Sequence, residues 1–255
     1  MAAEGRPLGQ LVLSATVAVG ERALAPLERS VCARCPLGDR PFFDPAELPW
    51  TGRLESGWRE IRAELEGLLA RLAELPSFQG ISSDQRSLTA DDRWKTAFLL
   101  GYGHRSPLLA RLCPRTVAHL QGVPGLVRAM FSILAPGRRI PPHRGPYKGL
   151  LRYHLGLIVP REAQRCWIRV DNQIRYWHEG GSLLFDDTFE HEAANETEEL
   201  RAVLFLDVLR PLPAPERQIN KAIVKAIALS PFLREAVRNQ RGWERRFAAA
   251  LGDRP

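Results

Sequence analysis

The sequence predicts a mainly β fold, a sandwich or jelly roll, with helices before and after it. From Val127 onward, short runs rich in Leu, Ile, Val, Phe, Trp and Tyr are each closed by Pro, Gly, Asn or Asp, which is typical of strands and turns. The runs recur about a dozen residues apart, a spacing that favours a sandwich or jelly roll over alternating βα units. On both sides of this part, apolar residues recur at helical spacing instead.

The part before the strands predicts helical segments joined by turns. In LESGWREIRAELEGLLARLAEL, apolar residues recur at helical spacing from Leu54 to Leu72, and charges occupy the other face. Pro76 is expected to end this helix, because proline has no backbone N–H to continue it. A shorter helix is expected from about Pro114 to Leu120, before the turn residues GVPG.

Five runs predict the strands themselves: RAMFSILAPG, LLRYHLGLIVP, CWIRVDNQIRYWHEGG, SLLFDDTFEHEA and LRAVLFLDVLRP. After the proline-rich RPLPAPE, helical spacing returns from about Gln218 to Leu251. Pro231 is expected to interrupt this C-terminal helical part.

The composition is that of a globular protein with a basic surplus. The chain has 255 residues, of which 45% are hydrophobic and 25% charged, and its formal charge is +7; this favours a folded chain with a large core. The surplus is mostly Arg dispersed along the chain, without a block of like charges, so a nucleic-acid partner is not expected. Small anions are attractive partners, because Arg binds carboxylates through two parallel hydrogen bonds.

The cysteines and the N-terminus predict a cytoplasmic protein. Four cysteines are too few to frame a secreted domain with disulfides, and the first residues lack the pattern of a signal peptide. The early apolar run LGQLVLSATVAVG is too short for a transmembrane helix. Cys32 and Cys35 have half the spacing of a zinc site, but no second pair follows, so ordinary thiols are the favoured interpretation.

Two histidines in the strand-rich part are candidate metal ligands. His143 follows the IPP turn, and His191 follows FDDTFE near the end of another run. Residues far apart in sequence meet across a β-barrel, and neutral imidazole suits Fe, Zn or Cu. A single histidine is more often a surface or core residue, so the hypothesis rests on the pair.

Three further basic residues are candidate binding groups. Arg152 and His154 are two apart in one run, so their side chains share one strand face. Arg201 opens the apolar run LRAVLFLDV, and a buried guanidinium requires an anionic partner. Two sources of that anion remain open, namely the internal carboxylates of Asp207 and Asp186 or a bound dicarboxylate.

Part of the chain resembles a known enzyme family. The segments FSILAPGRRIPPHRGPYKGLLRYHLGLIVP and HEGGSLLFDDTFEHEAANETEELRAVLFLDVLRP resemble the aspartyl/asparaginyl β-hydroxylases, which are iron(II)- and 2-oxoglutarate-dependent dioxygenases. The resemblance is dense from about Asp92 to Pro211 and implies a double-stranded β-helix, a jelly roll. We divide the chain accordingly into an N-terminal extension over residues 1–40, an oxygenase domain over 41–213 and a C-terminal helical segment over 214–255.

The resemblance makes His143 and His191 the catalytic residues that hold iron(II). Most enzymes with this chemistry add a carboxylate to two histidines, and the place for it, two residues after the first histidine, is here Gly145. The family is similar in using two histidines alone, so the missing acid supports membership. Water or substrate is expected to complete the coordination.

The same resemblance implies a 2-oxoglutarate site. Arg201 resembles the residue that pairs with the distal carboxylate, and Ser132 resembles a hydrogen-bonding helper beside it. Arg152 and His154 resemble the residues at the end of the cosubstrate that chelates iron. The ligand then supplies the anion that each cation requires, and Lys would be a poor substitute for a planar guanidinium.

The resemblance implies a hydroxylase, and the leading hypothesis for its substrate is the β-carbon of an Asp or Asn residue. That residue would belong to a peptide, a protein or a carrier-bound amino acid. Leu150 stands where animal members have a basic residue for the target carboxylate, so hydroxylation of a lipid acyl chain, as on lipid A, is the alternative.

Two further hypotheses concern binding rather than catalysis. A catalytically silent β-helix binding protein is the rival from a different class, and the joint retention of the basic residues named above argues against it. The amphipathic stretch INKAIVKAIALSPFL is suited to peripheral contact with a membrane, although packing against the barrel is the favoured interpretation.

Overall fold

The computed structural model describes residues 28–30, 33–81 and 91–252. Two antiparallel sheets face each other across an apolar interior, with helices before and after them. The predicted fold class is confirmed: the protein is mainly β, a jelly roll of the double-stranded β-helix type with flanking helices. The run LGQLVLSATVAVG and Cys32 lie outside the described residues.

The larger sheet has seven strands. In spatial order they are β1 (Phe42–Phe43), β9 (Ser182–Phe185), β6 (Leu150–Ile158), β11 (Arg201–Leu209), β4 (Leu126–Leu134), β2 (Trp94–Gly101) and β3 (His104–Arg105). The smaller sheet consists, in order, of β5 (Arg138–His143), β10 (His191–Asn195), β7 (Cys166–Val170) and β8 (Gln173–Tyr176).

Seven α-helices that lie entirely within the described residues surround the sheets. They are α1 (Thr51–Ser56), α2 (Trp58–Leu69), α3 (Phe78–Ile81), α4 (Pro107–Leu112), α5 (Pro114–Leu120), α6 (Glu216–Ala228) and α7 (Pro231–Ala250). Within the described ranges, none of them combines the length and the apolar character that a membrane span requires.

The long helix predicted around Leu54 to Leu72 is divided into α1 and α2 at Gly57. A Cβ atom there would collide with the ring of His119 on α5, so the close approach of the two helices requires glycine. Helix α2 ends at Leu69, before Pro76. The other helical predictions agree with the structure, since α5 covers Pro114–Leu120 and Pro231 separates α6 from α7.

Strand β2 is not indicated by the sequence pattern, because the region before Val127 is predicted as helical segments, and the short strands β1 and β3 are missed for the same reason. The stretch IPP, predicted as a turn, lies within β5 instead, so His143 is the last residue of a strand. The β2 sequence WKTAFLLG is buried on both faces, and a bulge between Phe98 and Leu100 shifts the phase of the side chains. A strand without clean alternation cannot be separated from a buried helix by periodicity. The run CWIRVDNQIRYWHEGG folds as the hairpin of β7 and β8.

The seven-stranded sheet has two buried faces. The helix-covered face packs against α1, α2, α4, α5 and the end of α7, and β11 contributes Ala202, Leu204, Leu206 and Val208 to it. The inner face looks toward the smaller sheet, and β11 contributes the alternate residues Arg201, Val203, Phe205 and Asp207. The division of the chain near residues 40 and 213 stays a prediction.

Candidate active site

Two histidines meet where β5 and β10 pair in the smaller sheet. His143 and His191 are direct partners in the antiparallel register. Their ring centroids are 4.0 Å apart. The sequence suggested these residues as a pair, and the register of two strands distant in sequence brings them together.

Both imidazoles are held in the neutral form. The Nδ1 atom of His143 lies 2.8 Å from the carbonyl oxygen of Pro141, and that of His191 lies 3.0 Å from the carbonyl oxygen of Phe189. A carbonyl only accepts, so Nδ1 carries the hydrogen and Nε2 keeps its lone pair. Burial lowers the pKa of His143, and it lowers the pKa of His191 to about 2.

This arrangement fits a metal ion bound between two imidazoles. Metal-binding histidines commonly donate one ring N–H to a backbone carbonyl and bind the metal through the other nitrogen. The Nε2 atom of His191 is buried without a hydrogen-bond partner. In the part of the chain that the structure describes, no cluster of three His, Cys, Asp or Glu side chains could hold a metal; at this place the described residues present the two imidazoles.

The carboxyl group of Asp187 fills the space beside Gly145. The backbone N–H of Gly145 donates to the carbonyl oxygen of Asp187 at 2.7 Å, and a Cβ atom on Gly145 would collide with the Asp187 carboxyl group. Burial raises the pKa of Asp187 to about 6, although Arg152 opposes the shift. Sequence reasoning missed Asp187, whose signal was an acid four residues before His191 in FDDTFEHE.

Arg201 lies on the inner face, and no carboxylate of the described segments forms an ion pair with it. Its side chain is 2% exposed and stacks over Trp177, with Cζ 4.6 Å from the ring centroid. It donates a long hydrogen bond of 3.4 Å to the carbonyl oxygen of Ser132, while Nε has no partner. Burial lowers the pKa of Arg201 to about 10, because a desolvated cation without an anion is costly.

The internal carboxylates considered from the sequence pair with other cations. Asp207 forms ion pairs with Arg152 and Arg128. Asp186 forms an ion pair with Arg210. Among the described residues, neither these nor any other carboxylates form an ion pair with Arg201, so the inner face contains a buried cation to which no described carboxylate supplies a counter-ion.

His154 and Ser132 lie on the same inner face. His154 is framed by the rings of Phe185 and Phe205, whose centroids are 5.0 and 4.9 Å away. Both ring nitrogens of His154 are buried without partners, and burial together with Arg201 lowers its pKa well below 6.5. The hydroxyl of Ser132 accepts from Trp94 Nε1 at 3.0 Å, which leaves its own hydrogen free to donate to a ligand.

Arg152 differs from Arg201, because the protein already supplies its anions. Its Nη2 lies 2.7 Å from Asp187 Oδ2 and its Nε lies 3.0 Å from Asp207 Oδ1. Burial raises the pKa of Asp207, but Arg128 and Arg152 outweigh it and hold that pKa below the usual range. The expectation that a ligand provides the counter-ion of each arginine is therefore wrong for Arg152, which belongs to an internal network of two cations and two acids.

A cavity of about 220 Å³ opens beside His143, whereas His191, His154, Arg201 and Ser132 are not among its wall residues. Its walls include His143, Arg152 and Asp187, together with Leu150 at the start of β6. Leu150 is buried, so the place where a basic residue would bind a target carboxylate is apolar. Exposed Arg144, next to His143, also lines the cavity.

Comparison with known proteins gives matches over most of the chain. A family model described as aspartyl/asparaginyl beta-hydroxylase matches residues 55–211. An ornithine lipid ester-linked acyl 2-hydroxylase of Rhizobium tropici is 48% identical over 222 residues, which cover 86% of this chain and 79% of the relative. The human aspartyl/asparaginyl beta-hydroxylase is 32% identical over 188 residues, which cover 70% of this chain but only 24% of that protein.

Solved structures give weaker matches. A cupin_2 domain of an XRE family transcriptional regulator from Enterobacter cloacae covers 47% of this chain at 13% identity, with a TM-score of 0.33. The cupin domain of Cnp3 from Schizosaccharomyces pombe covers 48% at 11% identity, with a TM-score of 0.31. Likeness at this level carries no argument about the activity of the site.

Proposed function

The chain belongs to the aspartyl/asparaginyl β-hydroxylase family, and from this premise we propose that it is an Fe(II)- and 2-oxoglutarate-dependent dioxygenase. We propose further that it hydroxylates an unactivated C–H of an acyl chain in a polar lipid. The observation that carries the iron and cosubstrate assignment is the neutral histidine pair on the smaller sheet together with the buried Arg201 on the facing sheet, which forms no ion pair with a described carboxylate. The substrate class rests on the relative from Rhizobium tropici that is 48% identical.

In this proposal His143 and His191 hold iron(II) through their Nε2 atoms. The carbonyls of Pro141 and Phe189 fix both rings in the tautomer that a metal requires. Because the low pKa of each imidazole keeps it unprotonated near neutral pH, no proton has to leave before the metal binds. Bound iron(II) and 2-oxoglutarate would activate dioxygen, so that one oxygen atom enters the C–H bond and the other enters succinate as carbon dioxide leaves.

Arg201 binds the distal carboxylate of 2-oxoglutarate in this proposal. A bidentate carboxylate would satisfy the unpartnered Nε and neutralise the buried charge. The Ser132 hydroxyl donates a further hydrogen bond. His154, with two buried and unpartnered nitrogens, is positioned by Phe185 and Phe205 to bind a polar atom at the other end of the cosubstrate.

Arg152 is a weaker candidate for the cosubstrate than the sequence suggested, but it remains in the proposal. Its ion pairs use Nε and Nη2, and a guanidinium has five N–H donors, so further donors are available. The pairs with Asp187 and Asp207 fix the guanidinium at the wall of the cavity that His143 also lines. Arg152 then orients the end of 2-oxoglutarate that faces iron.

The Asp/Asn hypothesis stays as the second candidate function because of one observation. Exposed Arg144 lines the cavity next to His143, and its guanidinium is suited to the carboxylate of a substrate residue. Buried Leu150, in the wall of the same cavity, favours the acyl chain. Under either candidate we propose the cytoplasmic location that the small number of cysteines predicts.

Mass spectrometry of candidate substrates distinguishes the two functions. The protein would be incubated with iron(II), 2-oxoglutarate and either ornithine lipid or a peptide that contains Asp and Asn. We expect the lipid to gain the mass of one oxygen atom and the peptide to remain unchanged, with succinate formed in proportion. A gain on the peptide alone would replace the acyl function with the second candidate.

Histidine variants separate an oxygenase from a catalytically silent protein. His143→Ala and His191→Ala are expected to abolish succinate formation, whereas His178→Ala, at an exposed position, is expected to retain it. If wild-type protein forms no succinate with either substrate and binds no iron(II), the enzymatic proposal fails.

A further inference from the structure

A second cavity adjoins the cavity of about 220 Å³ described above. Because His143 lines that first cavity, we call it the cavity beside the histidines. The second cavity has a volume of about 160 Å³ and lies between one face of α7 and the end of the β2–β3 hairpin, with α3 at its side. The two cavities have four wall residues in common, Phe78, Tyr102, Arg128 and Leu233. We call this second cavity the helical groove.

The chemistry of the walls changes from one cavity to the other. The cavity beside the histidines carries Arg128, Arg152, Asp187 and Asp207. The helical groove has Phe78, Ile81, Phe98, Leu233, Ala236 and Val237 among its apolar walls. Its polar wall residues are Arg128, which both cavities share, His104, Arg105, Arg241 and the pair of Gln240 and Glu244, in which the amide donates to the carboxylate. A ligand that occupies both must therefore be polar at one end and apolar along the rest of its length.

Tyr102 stands at the junction of the two cavities. It has a left-handed backbone, with φ of 49°, a conformation that is costly for a residue other than glycine. Its backbone N–H donates to the carbonyl oxygen of Val127 at 2.8 Å, which fixes the turn. The side chain packs with Val127, Tyr147 and Leu150, so the junction is held in place by the fold.

The small side chain of Ala236 leaves space in the groove. Exposed Arg105 and Arg241 line the groove as well, and long cationic side chains keep their charged ends in water while their stems cover apolar surface. These features describe a largely apolar groove that is charged at its solvent side and shares wall residues with the cavity beside the histidines.

We propose that the helical groove binds the apolar tail of the acyl chain, while the polar end of that chain stays in the cavity beside the histidines. This inference rests on the proposed acyl function. In this proposal the walls of the groove, and those on α7 above all, determine which length of acyl chain the protein accepts. The bound tail leaves water and packs against the apolar walls, so affinity is expected to rise by roughly fourfold for each methylene that enters the groove.

The first test measures binding without catalysis. A fluorescent fatty acid would be titrated into metal-free protein that contains no 2-oxoglutarate. Ala236→Phe, which fills the groove, is expected to weaken binding at least tenfold; Ala249→Phe, the same change at an exposed position of α7, is expected to bind as wild type does. Equal binding by all three proteins, or no binding by wild type, would overturn the assignment of the groove.

The second test measures chain length in the reaction. Ornithine lipids with progressively longer ester-linked chains would be supplied, and kcat/KM would be determined for each chain. We expect kcat/KM to stop rising at a shorter chain in Ala236→Phe than in wild type, and at a longer chain in Leu233→Ala, which widens the groove. Hydroxylation with identical chain-length profiles in all variants would remove the groove proposal and leave the acyl function intact.

The two tests separate the failure of the groove from the failure of the function. If the fatty acid binds and Ala236→Phe weakens it, but no lipid is hydroxylated, the groove is an acyl site and the proposed reaction is wrong. Leu233→Ala provides an independent test if Ala236→Phe does not fold. It enlarges the groove, so it is expected to shift the chain-length profile of kcat/KM in the opposite direction.

Discussion

The helix-covered face and the inner face of the seven-stranded sheet are both buried, but they differ in chemistry. On the helix-covered face, the residues that β4, β6 and β11 contribute to the core are apolar apart from the Tyr153 hydroxyl. On the inner face, Arg201, His154 and Asp207 are 2 to 6% exposed. Burial alone therefore does not explain the inner face, because buried polar groups without partners destabilise a fold.

The inner face itself contains two kinds of polar group. Asp207 is paired with two arginines, whereas Arg201 and His154 carry buried nitrogens without partners. The paired charges are expected to support the folded state. The unpartnered ones are expected to weaken it until a ligand binds, and this difference can be measured.

The largest effect on stability is expected from breaking the paired charges. Asp207→Ala leaves Arg128 and Arg152 with fewer counter-ions in a buried site, which costs about 3–5 kcal/mol in the free energy of unfolding. The measurement is urea unfolding of the metal-free protein. Asp92→Ala, at a side chain that is 75% exposed, is the matched control and is expected to change little. Equal losses in both variants would refute the importance of the network.

A loss of about 2–5 kcal/mol is expected on the helix-covered face. Leu204 is fully buried there, and Leu204→Ala removes apolar contacts and leaves a cavity. Leu229, which is 72% exposed on the surface, provides the control, since Leu229→Ala is expected to lie within about 0.5 kcal/mol of wild type. A small loss at Leu204 would mean that this face contributes less to the core than its burial implies.

The unpartnered cation is expected to behave in the opposite way. Arg201→Met removes a buried charge and keeps an apolar side chain, so the ligand-free protein is expected to gain about 1–3 kcal/mol in the free energy of unfolding. Affinity for 2-oxoglutarate is expected to fall by about 100-fold. Both are compared with Arg161→Met, at a side chain that is 92% exposed. A destabilised Arg201→Met that still binds 2-oxoglutarate would contradict the distinction between paired and unpartnered charges.

The smallest effect is expected from the titration of Asp207. Arg128 and Arg152 outweigh the effect of burial and hold its pKa below the usual range. A carboxyl group with a lowered folded pKa contributes stability above its unfolded pKa, about 3.9, and loses that contribution as the pH falls through the folded pKa. The stability gap between wild type and Asp207→Asn should therefore narrow below about pH 4. Urea unfolding across this range measures the gap, and a gap that widens toward acid would have the wrong sign.

Much of this contrast follows from the sequence, because a strand has a period of two. The alternation in LRAVLFLDVLRP puts Arg201 and Asp207 on one face of β11, and that in LLRYHLGLIVP puts Arg152 and His154 on one face of β6. The sequence also predicted that His143 and His191 lie together, and the register of β5 and β10 explains their contact.

Other parts of the site could not be predicted, because they depend on contacts between distant elements. Asp207 forms its ion pair with Arg152 rather than with Arg201 because of the register of β6 against β11, in which Arg152 lies opposite Asp207. Asp187 comes from the loop after β9, and its place beside Gly145 depends on the packing of two loops. Strand β2 was missed because both of its faces are buried and a bulge disturbs its alternation.

The most direct test of the account is a crystal structure of the protein with iron(II) and 2-oxoglutarate, prepared without oxygen. We expect the metal between the Nε2 atoms of His143 and His191. The distal carboxylate of 2-oxoglutarate should lie on Arg201 and the Ser132 hydroxyl. Electron density that shows the cosubstrate elsewhere, with Arg201 still without an anion, would contradict the claim that the unpartnered groups of the inner face exist to bind it.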